Sequence, residues 1–244
     1  MPSSRFELKY SVPISLHAHV QALLRSRFAP DEHGAGVDGS YRVVSLYWDS
    51  INFRTYHDKQ AGVPVRFKAR VRKYYPRETI QPLNFEIKWR RGDRIWKNRE
   101  QVVVPYGAKS AQVLELAPHY AEFVNYHRLH PVLIISYKRF AYRDLNSDTR
   151  ITFDQEICFG VTPKNVITQN QLLTRDAVLE VKTNEHNLKP WIESLIAQLR
   201  GKRRTFSKYC LSVEADARSG QHMTKCNGSA KYDLMDAFIQ PDFI

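Results

Sequence analysis

The sequence predicts an α+β fold: an antiparallel sheet of eight strands, able to close into a β-barrel, with helices packed on its outside. Three observations predict it. Eight segments alternate polar and apolar residues with the two-residue period of a strand. These segments do not alternate with helices in the βαβ rhythm that a parallel sheet requires. In each, charge collects on one face and apolar bulk on the other.

The segments are "FELKYSV" (6–12), "YRVVSLYW" (41–48), "VPVRFKARVRKYY" (63–75), "LNFEIKWR" (83–90), "IWKNREQVVV" (95–104), "VLIISYKRFAYR" (132–143), "RITFDQEI" (150–157) and "AVLEVKT" (177–183). Before the second, "SLHAHVQALLRSRF" spaces Leu16, Val20, Leu23, Leu24 and Phe28 as one helix face, and "DEHGAGVDGS" (31–40) reads as a polar loop. Two more helices are expected, over roughly 108–128 and over 189–199, the second with Trp191, Leu195, Ile196 and Leu199 on one stripe. The order suggests a main domain over 1–219 and a short packing tail over 220–244.

Charge raises the functional question. In "VRFKARVR" Arg66, Lys68, Arg70 and Arg72 share one face, against Phe67, Ala69 and Val71. Glu86, Lys88 and Arg90 likewise oppose Phe85, Ile87 and Trp89. Glu7 with Lys9, Lys97 with Arg99, Tyr137 with Arg139, Arg150 with Asp154, and Glu180 with Lys182 continue the pattern. A half-solvated sheet explains the alternation. It does not explain why the wet face is so cationic, since like charges on neighbouring strands destabilise a sheet. A bound polyanion would offset that repulsion. If the sheet closes, charges inside would line a polar tunnel, and the amphipathic helices would cover the apolar outside.

Composition narrows the partner. The 244 residues carry 37 Lys and Arg against 25 Asp and Glu, a formal net charge of +12. Such an excess points to an anion: nucleic acid, a phosphorylated small molecule or an acidic membrane surface. A single-strand binder needs aromatics among its charges. Here Phe67, Phe85, Trp89 and Phe153 lie opposite them, which argues against nucleic acid. The longest apolar run, Val132–Ile135, is too short to span a bilayer, and "MPSSRFELKY" lacks the core of a secretory signal. Cys158, Cys210 and Cys226 have no paired spacing and read as reduced cysteines of a cytoplasmic protein. His17 and His19, two apart on a helix, face different ways and read as surface residues rather than metal ligands. No GxxxxGK[ST] or GxGxxG loop occurs. The chemistry falls to cations, carboxylates and metal.

Nine segments in order resemble the VTC domain, the catalytic domain of polyphosphate polymerases, within the triphosphate tunnel metalloenzyme (CYTH-like) group. They are "RFELKY" (5–10), "SLYWDS" (45–50) with "FRTYHDKQAG" (53–62), "KARVRKYY" (68–75), "NFEIKWR" (84–90), "KNREQV" (97–102), "SYKRFAYRD" (136–144), "RITFD" (150–154), "VLEVK" (178–182) and "FSKY" (206–209). The resemblance implies the triphosphate tunnel fold. It also implies transfer of the γ-phosphate of ATP to a growing polyphosphate chain, with Mn²⁺ or Mg²⁺. By motif, Lys9, Arg70, Arg72, Lys88, Arg139 and Lys208 would be catalytic phosphate contacts. Lys97, Tyr137, Arg150 and Ser207, with Lys59 as a further basic position, would bind substrate; Arg66 and Lys182 join them from the charged strand faces, and Lys59 and Arg66 are expected at the tunnel rim or exposed. Glu180 matches the metal-binding glutamate, and Glu7 and Glu86 could share the metal or hold cations in place. Related tunnel enzymes begin Glu-x-Glu-x-Lys. Arg5 replaces the first Glu here, leaving Glu7 and Lys9, which leans toward the polymerase branch. Just before "FSKY", a second expected basic position is Thr205, with Arg204 adjacent. A metal-dependent triphosphatase or polyphosphatase is the alternative, and a non-catalytic polyanion or nucleic-acid-binding module comes after it. Any membrane association would run through a partner protein at the inner membrane face.

Overall fold

The computed structural model describes residues 6–31, 38–75, 82–105, 107–160, 171–172, 176–185, 187–219 and 230–240. The expectations for Arg5 and Cys226 lie outside the described residues. Eight long strands form: β1 (Phe6–Val12), β3 (Ser40–Asp49), β4 (Val65–Tyr75), β5 (Leu83–Arg91), β6 (Arg94–Val102), β7 (His130–Arg143), β8 (Arg150–Gly160) and β10 (Ala177–Thr183). The two-residue strands β2 (Ala29–Pro30), β9 (Gln171–Leu172) and β11 (Lys202–Arg203) sit on their flanks. Every pairing is antiparallel, in the order β11-β1-β10-β8-β7-β3-β4-β5-β6, with β2 beside β7 and β9 beside β8.

The hydrogen-bonded path is therefore open rather than a closed ring. The sheet nevertheless curls on itself. Lys88 of β5 reaches Glu7 of β1 at 2.6 Å, although five strands separate β1 from β5 along the path. Only a strongly curved sheet brings those faces together.

Helices cover the convex face. Val44, Leu46, Phe67, Ala69, Phe85 and Ile87 pack under α3 (Ser110–Glu115), α4 (Pro118–Tyr126) and α7 (Ala230–Ile239), through Val113, Tyr120, Val124, Leu234, Met235 and Phe238. Tyr10, Phe140, Ile151, Phe153, Leu179 and Val181 pack under α1 (His17–Arg25) and α5 (Pro190–Gln198). Each fully buried Leu, Ile or Phe there contributes about 1.5–3 kcal/mol. His17 belongs to this layer. Its ring lies 5.3 Å from that of Phe140 and 5.9 Å from that of Phe153, so it packs on the sheet instead of facing water as expected.

The single helix expected over 108–128 is two. Pro118 opens α4 at its first turn and forces Ala117 to φ −124, ψ 64, outside the helical region. The 108–128 periodicity could not reveal that break. Three further helices were not anticipated, α7 in the expected packing tail among them. α2 (Arg54–Gln60) follows β3 directly. α6 (Lys208–Ser219) lies on the concave side, where Tyr209, Cys210 and Val213 pack on Val43, Ile135, Tyr137 and Val178. Thus apolar residues occupy one part of the concave face, and charges occupy the rest.

Candidate functional site

Asp49 ties α2 and α6 to the end of β3. Fully buried at the end of β3, it accepts hydrogen bonds from Thr55 N (2.9 Å), Thr55 Oγ1 (2.7 Å) and Tyr56 N (3.2 Å), capping α2. The Tyr209 hydroxyl also donates to it, and the Tyr209 ring stacks on Tyr47 at 5.2 Å. This locks α6 to the sheet and points Ser207 and Lys208 inward.

Three groups of charges line that face. In the first, Glu86 of β5 is fully buried and receives Arg70 (2.6 Å), Arg99 (2.8 Å), Lys97 (2.9 Å) and Arg72 (3.9 Å). Burial pushes the Glu86 carboxyl up, but the neighbouring Arg70, Arg72, Lys97 and Arg99 overcome it and hold the group well below its ordinary range. Arg70 Nη1 also donates to the Tyr47 hydroxyl at 3.2 Å, and Arg72 Nε to Ser45 Oγ at 3.1 Å. Against the upward push of burial, Arg70, Arg72 and Lys68 pull the Tyr47 phenol down to about 8.

In the second, Arg139 of β7 grips Asp154 of β8 in a two-pronged pair at 2.6 and 2.7 Å, and Lys208 Nζ donates to the same carboxylate at 2.6 Å. The Tyr137 ring underlies both, 5.0 Å from Arg139 and 4.5 Å from Lys208. In the third, Lys88 pairs with Glu7 at 2.6 Å, while Glu180 takes Lys182 at 3.0 Å and Lys9 at 3.4 Å. Lys9 Nζ donates as well to the Phe206 carbonyl at 3.2 Å. Burial raises the Glu7 carboxyl, yet Lys88 above all outweighs it and lowers the group to about 2.

The structure thus gathers Lys9, Arg70, Arg72, Lys88, Arg139, Lys208, Lys97, Tyr137, Lys182 and Ser207 on the concave face with Glu7, Glu86 and Glu180. Three expected substrate contacts lie outside this cluster. Arg66, at the start of β4, donates to the Val63 carbonyl at 2.5 Å and stands opposite Arg90 at the rim. Arg150 pairs with Asp31 and reaches the Tyr41 hydroxyl at 3.4 Å. Lys59, on α2, bonds Gln60 Oε1 at 3.0 Å and walls a mouth pocket with Ser11, Arg204, Thr205, Phe206 and Ser207. Lys68, Tyr47 and Arg99 are not among the expected site residues, and Asp154 is expected only as an acid of the charged face that could hold cations in place or ligate a metal. Parity alone places Lys68 with Arg70, Arg99 with Lys97 and Asp154 with Arg150. Tyr47 sits in a run too apolar for parity to single out.

No three His, Cys, Asp or Glu side chains converge on a possible ion position among the described residues. Glu7, Glu86 and Glu180 accordingly do not make one cage: Glu86 spends both oxygens on its own cations. Glu7 and Glu180 do fit a metal. They lie on one face of paired strands, close enough that Glu180 raises the Glu7 carboxyl, and their lysines keep both ionised. Two hard oxygen donors suit a divalent cation that completes its shell with water and phosphate oxygens.

Lys88 gives a pH signature. Burial first, and then Lys9, lower its ammonium to about 8. An anion bound beside it favours the charged form, so binding takes up protons and affinity falls as pH rises through 8. For folding the sign is opposite. The unfolded lysine keeps its proton up to its ordinary value, so between about pH 8 and 10 the unfolded chain holds more protons and stability rises with pH. The lowered Tyr47 phenol acts in the same direction. Calorimetric titration with tripolyphosphate and thermal melts of the empty protein, both from pH 7 to 10, should show these opposed trends. Parallel trends would exclude Lys88 as a contact.

A family model for the VTC domain matches residues 4–215. No curated protein sequence matches the chain. Among solved structures, a putative adenylyl cyclase from Hippeastrum, described as having a dominant triphosphatase activity, aligns with a TM-score of 0.53 at 15% identity, covering 89% of this chain and 96% of that one. A putative adenylate cyclase from Bacillus halodurans aligns with a TM-score of 0.50 at 10% identity, covering 83% and 93%. At such identities the likeness concerns the fold alone.

Proposed function

The chain belongs to the VTC domain family, and from that premise we propose that it is an ATP-dependent polyphosphate polymerase, moving the γ-phosphate of ATP onto a growing polyphosphate chain inside the basic tunnel. The observation that carries this reading is the inward face, where nine cations (Lys9, Arg70, Arg72, Lys88, Lys97, Arg99, Arg139, Lys182 and Lys208) pair with only four carboxylates, Glu7, Glu86, Asp154 and Glu180. A thin phosphate chain supplies the missing negative charge.

Phosphoryl transfer needs positioning and charge neutralisation more than covalent help from the protein. Arg70, Arg72 and Arg139 present guanidinium forks to non-bridging oxygens, and Lys9, Lys88 and Lys208 act as point charges. Lys97, Lys182, Tyr137 and Ser207 extend the track, with Lys59, Arg66 and Arg150 toward its rims. To bind, the chain displaces carboxylates from their cations, so the tunnel exchanges internal ion pairs for ligand. The terminal phosphate oxygen of the growing chain attacks the γ-phosphorus, the bond to the β-phosphate oxygen breaks, and ADP leaves. No protein nucleophile is required. Glu180, with Glu7, would hold Mn²⁺ or Mg²⁺, which would supply positive charge to offset the negative charge that develops during transfer.

ATP places this reaction in the cytoplasm. Among the described residues no helix is long and apolar enough to cross a membrane; attachment to an inner membrane face through a partner chain is part of the same proposal. The test is incubation with ATP and Mn²⁺ followed by phosphorus NMR and gel analysis. Long-chain polyphosphate is the expected product. Free phosphate alone would make the protein a triphosphatase, with water as the nucleophile in the same site.

A further inference from the structure

Lys68 differs from every other lysine on the concave face. It stands directly opposite Lys88, which stands opposite Lys97, so three ammonium groups share one cross-strand row. Lys88 has Glu7 at 2.6 Å and Lys97 has Glu86 at 2.9 Å. Among the described residues Lys68 has no carboxylate. Its Nζ donates to Ser207 Oγ at 2.6 Å, lies 3.7 Å from Cys210 Sγ, and sits 5.4 Å from the centre of the Tyr209 ring. None of these partners is a carboxylate; burial and the charges of Lys9 and Lys59 oppose its charged form, while Cys210 and Tyr47 favour it. A row of like charges with one member uncompensated is costly in a sheet unless an anion completes it.

Position says which anion. Ser207 and Cys210, the two side chains Lys68 touches, also wall the mouth pocket together with Lys59 and Arg204. The one acid in that wall, Glu214, is engaged by Gln60 Nε2 at 2.6 Å. A path of positive charge therefore leads from the surface, past Lys59 and Arg204, to Lys68 and the tunnel lysines.

We propose that Lys68 is a phosphate-holding residue at the tunnel mouth: with the Ser207 hydroxyl it binds one phosphoryl group of a phosphate chain that enters past Lys59 and Arg204. The proposal rests on the phosphate-chain reading of the tunnel and assigns one end of that chain. On binding, the ammonium donates to a phosphate oxygen, and the freed Ser207 hydroxyl donates to another.

The experiment is calorimetric titration of the full chain with tripolyphosphate and with orthophosphate, for wild type, Lys68→Met and Lys68→Arg, with thermal melts of each empty protein. Lys68→Met should weaken tripolyphosphate by about tenfold to a hundredfold, the size of one lost charge-assisted contact. Orthophosphate, free to settle on the Arg70 and Arg72 forks, should weaken far less. Lys68→Arg should restore most of the affinity, and the empty Lys68→Met protein should melt no lower than wild type. Lys68→Gln stands in should the apolar variant fail to fold. Equal tripolyphosphate affinity in wild type and the charge-removing variant overturns the proposal while leaving the tunnel reading intact. An equal loss for both anions overturns it too, by making Lys68 structural. A wild-type protein that binds no tripolyphosphate removes the tunnel reading itself.

Discussion

Glu180→Gln is expected to lower turnover at least about a hundredfold while the protein stays folded. Glu180 sits on β10 opposite Lys9 and is buried to 6% exposure, with its carboxylate between Lys9 and Lys182. Glutamine keeps the shape and one acceptor oxygen but removes the charge that would hold a divalent cation against the phosphates. Such a cation contributes several kcal/mol to the transition state, and each 1.36 kcal/mol is a factor of ten in rate. The fold tolerates the change because Lys9 keeps its bond to the Phe206 carbonyl and Glu7 remains close by. The check is the steady-state rate as a function of Mn²⁺, beside a thermal melt. A rate and metal dependence near those of wild type would leave Glu180 as an ion-pair residue only.

The largest loss of stability is expected from Glu86→Ala, about 3–5 kcal/mol, the range for breaking a buried ion pair by removing one partner. One fully buried carboxylate here serves four cations. The cost falls on Arg70 and Arg72, whose side chains are 14% and 8% exposed. Lys97 and Arg99, 43% and 37% exposed, are screened by water and matter less. Denaturant unfolding measures the loss. Tripolyphosphate should raise the melting temperature of the variant more than that of wild type, because the ligand meets cations that no internal acid occupies. A loss under about 1 kcal/mol would mean that the hub relaxes into solvent.

Alternation made most of this site legible. A period of two is a direct consequence of strand geometry, so most of the long strands revealed which residues share a charged face. What it could not reveal depends on contacts distant in sequence. In β8, Glu156 takes φ 51 at a register shift against β7, so Asp154 and Ile157, three apart, both face the concave side. A parity rule fails at that bulge. The α6 segment, "KYCLSVEADARS", mixes apolar and charged residues with no dominant stripe, because it packs on a face that is itself part charge and part apolar. The division of labour among acids was equally hidden. Glu7, Glu86 and Glu180 look alike in sequence, but only Glu86 faces two arginines of the neighbouring strand. Lys68 and Lys88 look alike too, and only curvature brings an acid to one and not to the other.

The central claim, that the positive charge is turned inward around a thin chain, is tested most directly by competition. Bound fluorescent polyphosphate is displaced by short unlabelled polyphosphate or by double-stranded DNA of equal total charge, at one salt concentration, since both release counterions. A tunnel admits the single phosphate chain and excludes a duplex, so polyphosphate should compete far more strongly. Equal competition by the duplex would place the binding charge on an exposed outer surface and contradict the account.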